Sequence, residues 1–507
     1  MSFDPTPEQG LIFEAAVNTK DNLMIRAYAG TGKTSTLTRM SELMSTVPSM
    51  YLVFNKKNQL EAEKLFPSHF TVLTANGLGH RAWGRTLGKR LTLNQDKLRD
   101  ILKGYEKVEY GNFGLIMQLV RRARHAGLIP KGHQYENSSL LEDEWETWEN
   151  MAFDLFEDLN DEVHFYCRKL LVDTIKLSFQ GVIDFDDQIY MPALFGGNFP
   201  RFPVVMVDEA QDLSPINHIQ IKRAAADRII AVGDSRQAIY AFRGADSSSM
   251  DNLRKLRPTW TDLKLSTTFR CPKLVVERQS RHAVGFNAGP ANVEGEVKYL
   301  EKWDIETLPR PLAILCRNNA PIIACALRII ARGMGCTVQG GEIGKQLVNL
   351  SKKVLPVDQE GYDRCVERIE LWRRNETIKA TAKDQTEKIS IINDRADCLL
   401  AVLDNSDART AAGLRAVLGT MFSRENNQIT LSTIHRAKGL EWSTVVHLDP
   451  FRLPSKFAIK ASDAGNPIPL EQENNLLYVA ETRTKNRLYL ADLDKMEIGN
   501  GSGTDGR

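Results

Sequence analysis

The sequence predicts an α/β protein of two parallel-sheet domains, each interrupted by a mainly helical insertion. Three observations carry this. Short β-branched runs alternate with helical segments at the start, that rhythm stops near residue 80 and resumes at residue 204, and a second set of such runs begins after Pro311. At 507 residues, 42% hydrophobic and 26% charged, the chain has the mix of a globular protein, with room for roughly three or four domains.

In order, the first set is LMIRAY at 23–28, a Gly-rich turn, a helix from Lys33, YLVFN at 51–55 and another helix, VVMVDEA at 204–210, RIIAVGD at 228–234 and a short strand near Leu263. These place the first domain at 1–80 and 181–264, with an insertion at 81–180. The insertion has seven basic and two acidic residues from Arg81 to Lys103, then RRAR at 121–124, then eleven acids and no base from Glu136 to Glu162. Such blocks are expected to form solvated helix faces. The functional alternative has the basic blocks lining a strand-binding groove, with the acidic block facing away.

The second set is LAILCRN after Pro311, a helix near Ala320–Arg332, ITLSTIH at 429–435, TVVHLD at 444–449 and NRLYLAD at 486–492. It gives a second domain at 265–339 and 426–495, with a mixed-charge helical insertion at 340–425. No repeat of the solenoid kind is present. The Gly/Ser-rich end is expected to be a disordered tail over 496–507.

Lys plus Arg total 66 against 64 Asp plus Glu, so the net charge of +2 provides no global field for nucleic acid, and any such contact must come from local patches. No run of about 18 apolar residues exists and the N-terminus lacks the features of a signal peptide, which predicts a cytosolic or nuclear protein without a membrane partner. The seven cysteines are widely spaced and never in a C-x-x-C pair. They are expected to be buried free thiols rather than disulfides, a zinc site or a cluster.

The segment Ala27-Tyr28-Ala29-Gly30-Thr31-Gly32-Lys33-Thr34 follows a strand and opens a helix, as a phosphate-binding loop requires. Its glycines turn backbone N–H groups toward phosphates, Lys33 supplies a point charge and the Thr34 hydroxyl is a Mg²⁺ ligand. Ala27 stands where the commonest form of the motif has Gly. In VVMVDEAQD, an apolar strand delivers Asp208 and Glu209 to its C-terminal edge, where Asp208 would hold Mg²⁺ through water and Glu209 would deprotonate the attacking water. Gln237 in VGDSRQAIYAFRGAD follows a third strand, within reach of a γ-phosphate and that water. LSTTFRCP offers Phe269 for adenine stacking and Arg270 for the γ-phosphate. YVAETRTKNRLYL offers Arg483, placed on a helix, as an arginine finger from the second domain.

With TPEQ, AYAGTGKT, YLVFNK, VDEAQD, VGDSRQAIYAFRGA, TTFRCP, STIHRAKGLEW and LLYVAETR in this order, the chain resembles the superfamily 1 DNA helicases of the UvrD/Rep type. The stretches AYAGTGKTSTL, YLVFNKKNQLEAEKLFP and LGHRAWGRTL are most similar to the helicase region of the F-box DNA helicases, with no F-box expected ahead of the phosphate loop. The resemblance implies two RecA-like P-loop NTPase domains and ATP-driven movement on single-stranded DNA, 3′ to 5′, acting on single/double-strand junctions. It implies ATP and Mg²⁺ as cofactors. Gln9 would read the adenine, Ala29, Gly30, Thr31, Gly32, Lys33, Thr34 and Ser35 would hold the phosphates, and Asp208 the metal. Gln237, Arg270 and Arg483 would sense the γ-phosphate, and Glu441 would bind the ribose.

For DNA the resemblance implies base stacking by Phe54 and Phe242, with Asn55, Asn76, Tyr240, Arg243, His435 and Lys438 beside them. The family's T-F-H-S reads TANGLGH here, with Asn76 replacing His, and the second insertion is short. A translocase that strips proteins such as recombinase filaments from single strands, and a non-motor nucleotide switch, are the alternatives to a helicase. The expected setting is a monomer beside replication or recombination proteins, in the nucleoid or in the host cytoplasm of a phage, or in a nucleus.

Overall fold

The computed structural model describes residues 4–53, 55–106, 108–109, 112–132, 139–153, 159–239, 248–382, 386–421 and 428–497. By its contacts the chain divides into two units, Met1–Tyr28 with Gly32–Ser266 and Ala29–Thr31 with Thr267–Arg507.

The first unit holds a six-stranded, wholly parallel sheet. Its order is Phe70–Thr74, Ser49–Val53, Phe202–Val207, Ala225–Gly233, Asn22–Ala27 and Trp260–Leu265. Successive side chains of a strand take opposite faces. Leu23 and Ile25 therefore join Tyr51 and Val53 on one face, while Met24 joins Met50 and Leu52 on the other. Helices Pro7–Asn18 and Lys33–Leu43 cover the first face through Ile12, Leu37 and Met40. Helices Ala75–Leu87 and Pro215–Ala224 cover the second through Leu78, Ala82 and Ile221. A sheet buried on both faces needs continuous apolar runs, which is why LMI and VVMV read so clearly. Phe70–Thr74 was not expected: it is the edge strand, and its two threonines are only half-buried.

Within the insertion, helices Lys97–Lys103, Phe113–Ala126, Trp145–Phe153 and Asp161–Phe179 pack around Trp83, Leu98, Ile116, Trp148 and Leu170. Two-residue strands Thr92–Leu93 and Val182–Ile183 pair in parallel where the insertion begins and ends. The basic blocks are not simply solvated faces, contrary to expectation. Arg124 is fully buried, with Nη1 donating to Asp187 at 2.8 Å and Asp184 at 2.9 Å and Nη2 to Asp186 at 3.0 Å. Lys97 is also buried, donating to Asp187 at 2.6 Å and to Thr174 O and Ser178 Oγ at 2.7 Å. A charge enters a core only when paired and hydrogen-bonded, and these partners lie far along the chain, beyond any local charge pattern.

The second unit holds another six-stranded parallel sheet, in the order Glu296–Leu300, Thr484–Ala491, Trp442–Leu448, Leu312–Cys316, Ile429–Thr433 and Thr337–Val338. Helices Gly341–Val354, Tyr362–Ala382, Thr386–Asp404 and Ala411–Met421 form its helical segment. Ile369, Leu399, Val402 and Leu414 of these helices share one core with Ile314, Leu431 and Val446 of the sheet. Met496 and Glu497, assigned to the tail by sequence, belong to the fold: Met496 is buried and Glu497 N–H donates to Trp303 O at 2.8 Å. Residues 498–507 lie outside the described residues. Among the described residues no helix is long and apolar enough to cross a membrane, and all seven cysteines are buried and outside any disulfide.

Candidate nucleotide site

The strand Asn22–Ala27 ends at the glycine-rich loop, where Gly30 and Gly32 have φ of 71° and 76°, a left-handed backbone that side-chain-bearing residues rarely adopt. Lys33 is the first residue of the helix that follows, and no side chain caps that helix. Its first N–H groups and positive dipole end therefore lie beside the lysine, as anion binding requires. Thr34 and Ser35 are exposed on the first turn, whereas Ala29 and Thr31 are buried.

The neighbouring strand ends complete the site. Phe202–Val207 delivers Asp208 and Glu209, and Glu209 has φ of 49°, a strained conformation for a non-glycine residue, at a cost of about 1–3 kcal/mol. Its carboxylate oxygen Oε2 accepts from Lys33 Nζ at 2.9 Å and from Gln211 Nε2 at 2.6 Å. Gln211 Oε1 accepts from Asp234 N–H at 3.0 Å, and Asp234 Oδ2 accepts from Gln237 Nε2 at 2.6 Å. An unbroken hydrogen-bonded chain thus runs from Lys33 through Glu209 to Gln237. Asp208 Oδ2 accepts from Tyr51 Oη at 2.8 Å, across adjacent strands.

Electrostatics follow from this crowding of acids around one base. Burial would lower the Lys33 pKa, but Glu209, Asp208 and Asp234 outweigh it and hold it above its ordinary value. Burial and the charge of Glu209 push the Asp208 carboxyl up, against the opposing pull of Lys33. Burial raises Asp234 in the same way. A divalent cation suits such a place: carboxylate and hydroxyl are hard oxygen donors, and a cation beside Asp208 relieves its repulsion with Glu209.

Gln9 is buried, with its amide tied at both ends: Oε1 accepts from Thr6 N–H at 2.9 Å and Nε2 donates to Thr36 Oγ1 at 2.9 Å. Asn55 caps a helix by accepting from Asn58 N–H at 2.8 Å, and Asn76 Nδ2 donates to Phe185 O at 2.7 Å. Phe54, Tyr240, Phe242 and Arg243 lie outside the described residues.

In the second unit, Arg270 and Glu441 come together. Arg270 Nε lies 2.5 Å from Glu441 Oε2, and Lys485 Nζ lies 2.5 Å from Oε1. Burial would raise the Glu441 carboxyl, but Lys485 and Arg270 hold it below the ordinary range. Phe269, next to Arg270, is 53% exposed. His435 and Lys438 are half-buried around the short helix Ile434–Ala437, and Gly439 follows at φ of 83°. Arg483 corrects one expectation: it is not on the helix, which ends at Glu481, but between that helix and the strand Thr484–Ala491. It is almost wholly buried, donating to Val479 O at 3.1 Å and Thr482 Oγ1 at 3.2 Å. Sequence reasoning did not single out Tyr51, Gln211, Asp234 or Lys485. Gln211 and Asp234 stand inside motifs already conspicuous as polar ends of apolar strands; Tyr51 and Lys485 act across strands and leave no local signal.

Two family descriptions match this chain. The UvrD/REP helicase N-terminal domain matches residues 55–258 and the UvrD-like helicase C-terminal domain matches residues 368–494, together more than half of the sequence. The chain belongs to the UvrD/Rep-like superfamily 1 helicases. Its two parallel sheets are the RecA-like domains of that family. Among relatives of this UvrD/Rep-like chain, F-box DNA helicase protein 1 of Schizosaccharomyces pombe is 26% identical over 96% of the chain and 57% of its own length. F-box DNA helicase 1 of Gallus gallus is 25% identical over 96% of the chain and 49% of its own length. ATP-dependent DNA helicase UvrD2 of Mycobacterium tuberculosis is 25% identical over 57% of the chain and 47% of its own length. The chain spans about half the length of these relatives.

Proposed function

We propose that the protein is an ATP-dependent DNA helicase that moves 3′ to 5′ along single-stranded DNA and unwinds duplexes in replication, repair or recombination. The hydrogen-bonded chain Lys33–Glu209–Gln211–Asp234–Gln237 carries this reading, because it links the phosphate-binding lysine to the base and to a γ-phosphate sensor. The names of the relatives, all DNA helicases, support the substrate.

In this reading the Gly30–Thr34 loop and the following helix bind the phosphates, and Phe269 stacks on the adenine. Thr34 and Asp208 hold Mg²⁺, which screens phosphate charge. Glu209 takes a proton from the attacking water while Lys33 passes to the β- and γ-phosphates. Gln237, Arg270 and Arg483 respond to the γ-phosphate, and Glu441 exchanges Arg270 for the ribose. The DNA is gripped by stacking and amide contacts from Phe54, Asn55, Asn76, Tyr240 and Phe242, with Arg243, His435 and Lys438 at the backbone. Residues 1–80 with 181–264 and 265–339 with 426–495 form the two motor domains, and 81–180 and 340–425 their insertions.

The test is unwinding of a 3′-tailed duplex with ATP and Mg²⁺, against a 5′-tailed duplex and the Glu209→Gln variant. Strong ATPase stimulation by single-stranded DNA and unwinding of the 3′-tailed form alone are expected. Absence of stimulation sinks the motor reading, unwinding from the 5′ tail alone reverses the polarity, and stimulation without unwinding favours a translocase that strips bound proteins.

A further inference from the structure

Glu481 ends the helix Ile468–Glu481 and is fully buried. Both circumstances oppose an acid: the helix C-terminus is the negative end of the dipole, and a buried carboxylate loses its hydration. Three side chains from other elements offset this. Arg278 Nε donates to Oε2 at 2.8 Å, Gln279 Nε2 donates to the same oxygen, and His447 Nδ1 stands 3.7 Å from Oε1. Burial would raise this carboxyl, but His447 and Arg278 prevail and hold it below the ordinary range. A well-packed apolar side chain would fill such a place without the desolvation cost. The acid therefore stands where it is needed to join particular segments.

Those segments carry the two arginines assigned to the γ-phosphate. Arg278 and Gln279 end the helix Lys273–Gln279, which begins three residues after Arg270. Arg483 follows Glu481 by two residues. Alongside, Cys271 Sγ donates to Thr482 O at 3.5 Å, and Trp442 N–H donates to Arg483 O at 3.0 Å beside the Arg270–Glu441 pair. Arg270 and Arg483 thus share one frame, and Glu481 is its buried pin.

We propose that Glu481 is a positioning residue which, through Arg278 and Gln279, fixes the Thr482–Arg483 segment against the Arg270 segment so that both guanidiniums meet the γ-phosphate in one geometry. The proposal rests on the roles given above to Arg270 and Arg483. Glu481 itself touches no nucleotide. Its influence is confined to states that hold a γ-phosphate, where a misplacement of about 1 Å costs up to ~100-fold.

The experiment compares the affinities of the full chain, with Mg²⁺ and single-stranded DNA, for ADP and for ADP–beryllium fluoride, a γ-phosphate mimic. Glu481→Ala and Arg278→Ala are expected to weaken the mimic about tenfold and to lower kcat similarly, with ADP affinity unchanged. Glu481→Gln, which retains an acceptor for Arg278, is expected to recover most of this loss, and Glu481→Ala to add little to Arg483→Ala. An unchanged ratio of the two affinities in Glu481→Ala overturns the proposal, even if the variant melts earlier. Should Glu481→Ala fail to fold, Arg278→Ala, whose side chain is 40% exposed, carries the same comparison. If Arg483→Ala leaves the ratio unchanged, the reading of Arg483 itself fails. If Arg483→Ala weakens the mimic and Arg278→Ala and Glu481→Ala do not, the positioning role alone fails.

Discussion

Lys33 Nζ and Glu209 Oε2 stand 2.9 Å apart, so the cation of the phosphate loop is held by the acid that would activate water. The pair is mostly buried, with side-chain exposures of 14% and 26%, and water screens it only weakly. In the proposed reading, a phosphate reaching Lys33 would compete with Glu209, and Glu209 would become available as a base as it loses the lysine. Binding of the nucleotide and readiness for hydrolysis would thereby be one exchange.

Removing the charge of Glu209 separates these two consequences. Glu209→Gln should lower kcat for ATP by about 10²–10⁴-fold, the usual share of a general base. The same variant should bind ATP as tightly as the native chain or more so, because Lys33 has lost its competing anion. Equilibrium binding of a fluorescent ATP analogue beside steady-state ATPase rates checks both.

Phe269 exposes half of its ring, so its loss leaves little cavity. If it stacks on the adenine, a contact of about 1–3 kcal/mol, Phe269→Ala should raise KM for ATP roughly tenfold. The melting temperature should remain as in the native chain. A lowered melting temperature with unchanged KM would make the ring a packing residue.

Arg124 has three carboxylates around it and no exposed surface. Truncating one member of a buried ionic cluster leaves the others uncompensated, and Arg124→Ala should destabilise the fold by about 3–5 kcal/mol in urea unfolding. Lys131→Ala, which removes exposed pairs with Glu142 and Glu144, should leave stability nearly unchanged.

Asp186 gives the insertion an acid limit. Burial would raise its carboxyl, but His125 and Arg124 bring it down from 3.8 to about 2. A carboxyl lowered in the fold stabilises above its unfolded value and loses that contribution as pH falls toward the folded value. Its share, about 2 kcal/mol by the linkage of 1.4 kcal/mol per unit, should disappear between about pH 4 and pH 2. Asp186→Asn should lower stability by that amount at neutral pH and flatten the same interval, followed by the fluorescence of buried Trp83 and Trp148.

The strands that lead to the candidate site were legible because both sheet faces are buried: LMI, VVMV and IIAV are continuous apolar runs, the last two followed directly by Asp208 and Gly233. Glu296–Leu300 escaped notice since an edge strand reading EVKYL alternates charge with apolar residues and resembles a loop. Asp208 and Glu209 could be placed at a strand end, but the Tyr51 hydroxyl on Asp208 depends on which strands become neighbours. The inward turn of Arg124 could not be read from RRAR, because its acids begin about sixty residues later. Charge blocks report composition; pairing is decided by topology. Arg483 was found through its motif, yet its burial beyond the helix end follows from packing that no local pattern encodes.

None of the seven cysteines is in a disulfide, and all are buried. Burial pushes Cys316 up to about 12, and Cys271 and Cys365 are also raised, so little thiolate forms at neutral pH. The native protein should therefore ignore a thiol reagent that the unfolded chain consumes at seven sites. A single cysteine engineered on the surface would then accept a fluorophore without prior removal of the native ones. The interior chemistry of the fold thus provides a quiet background for a single reporter dye.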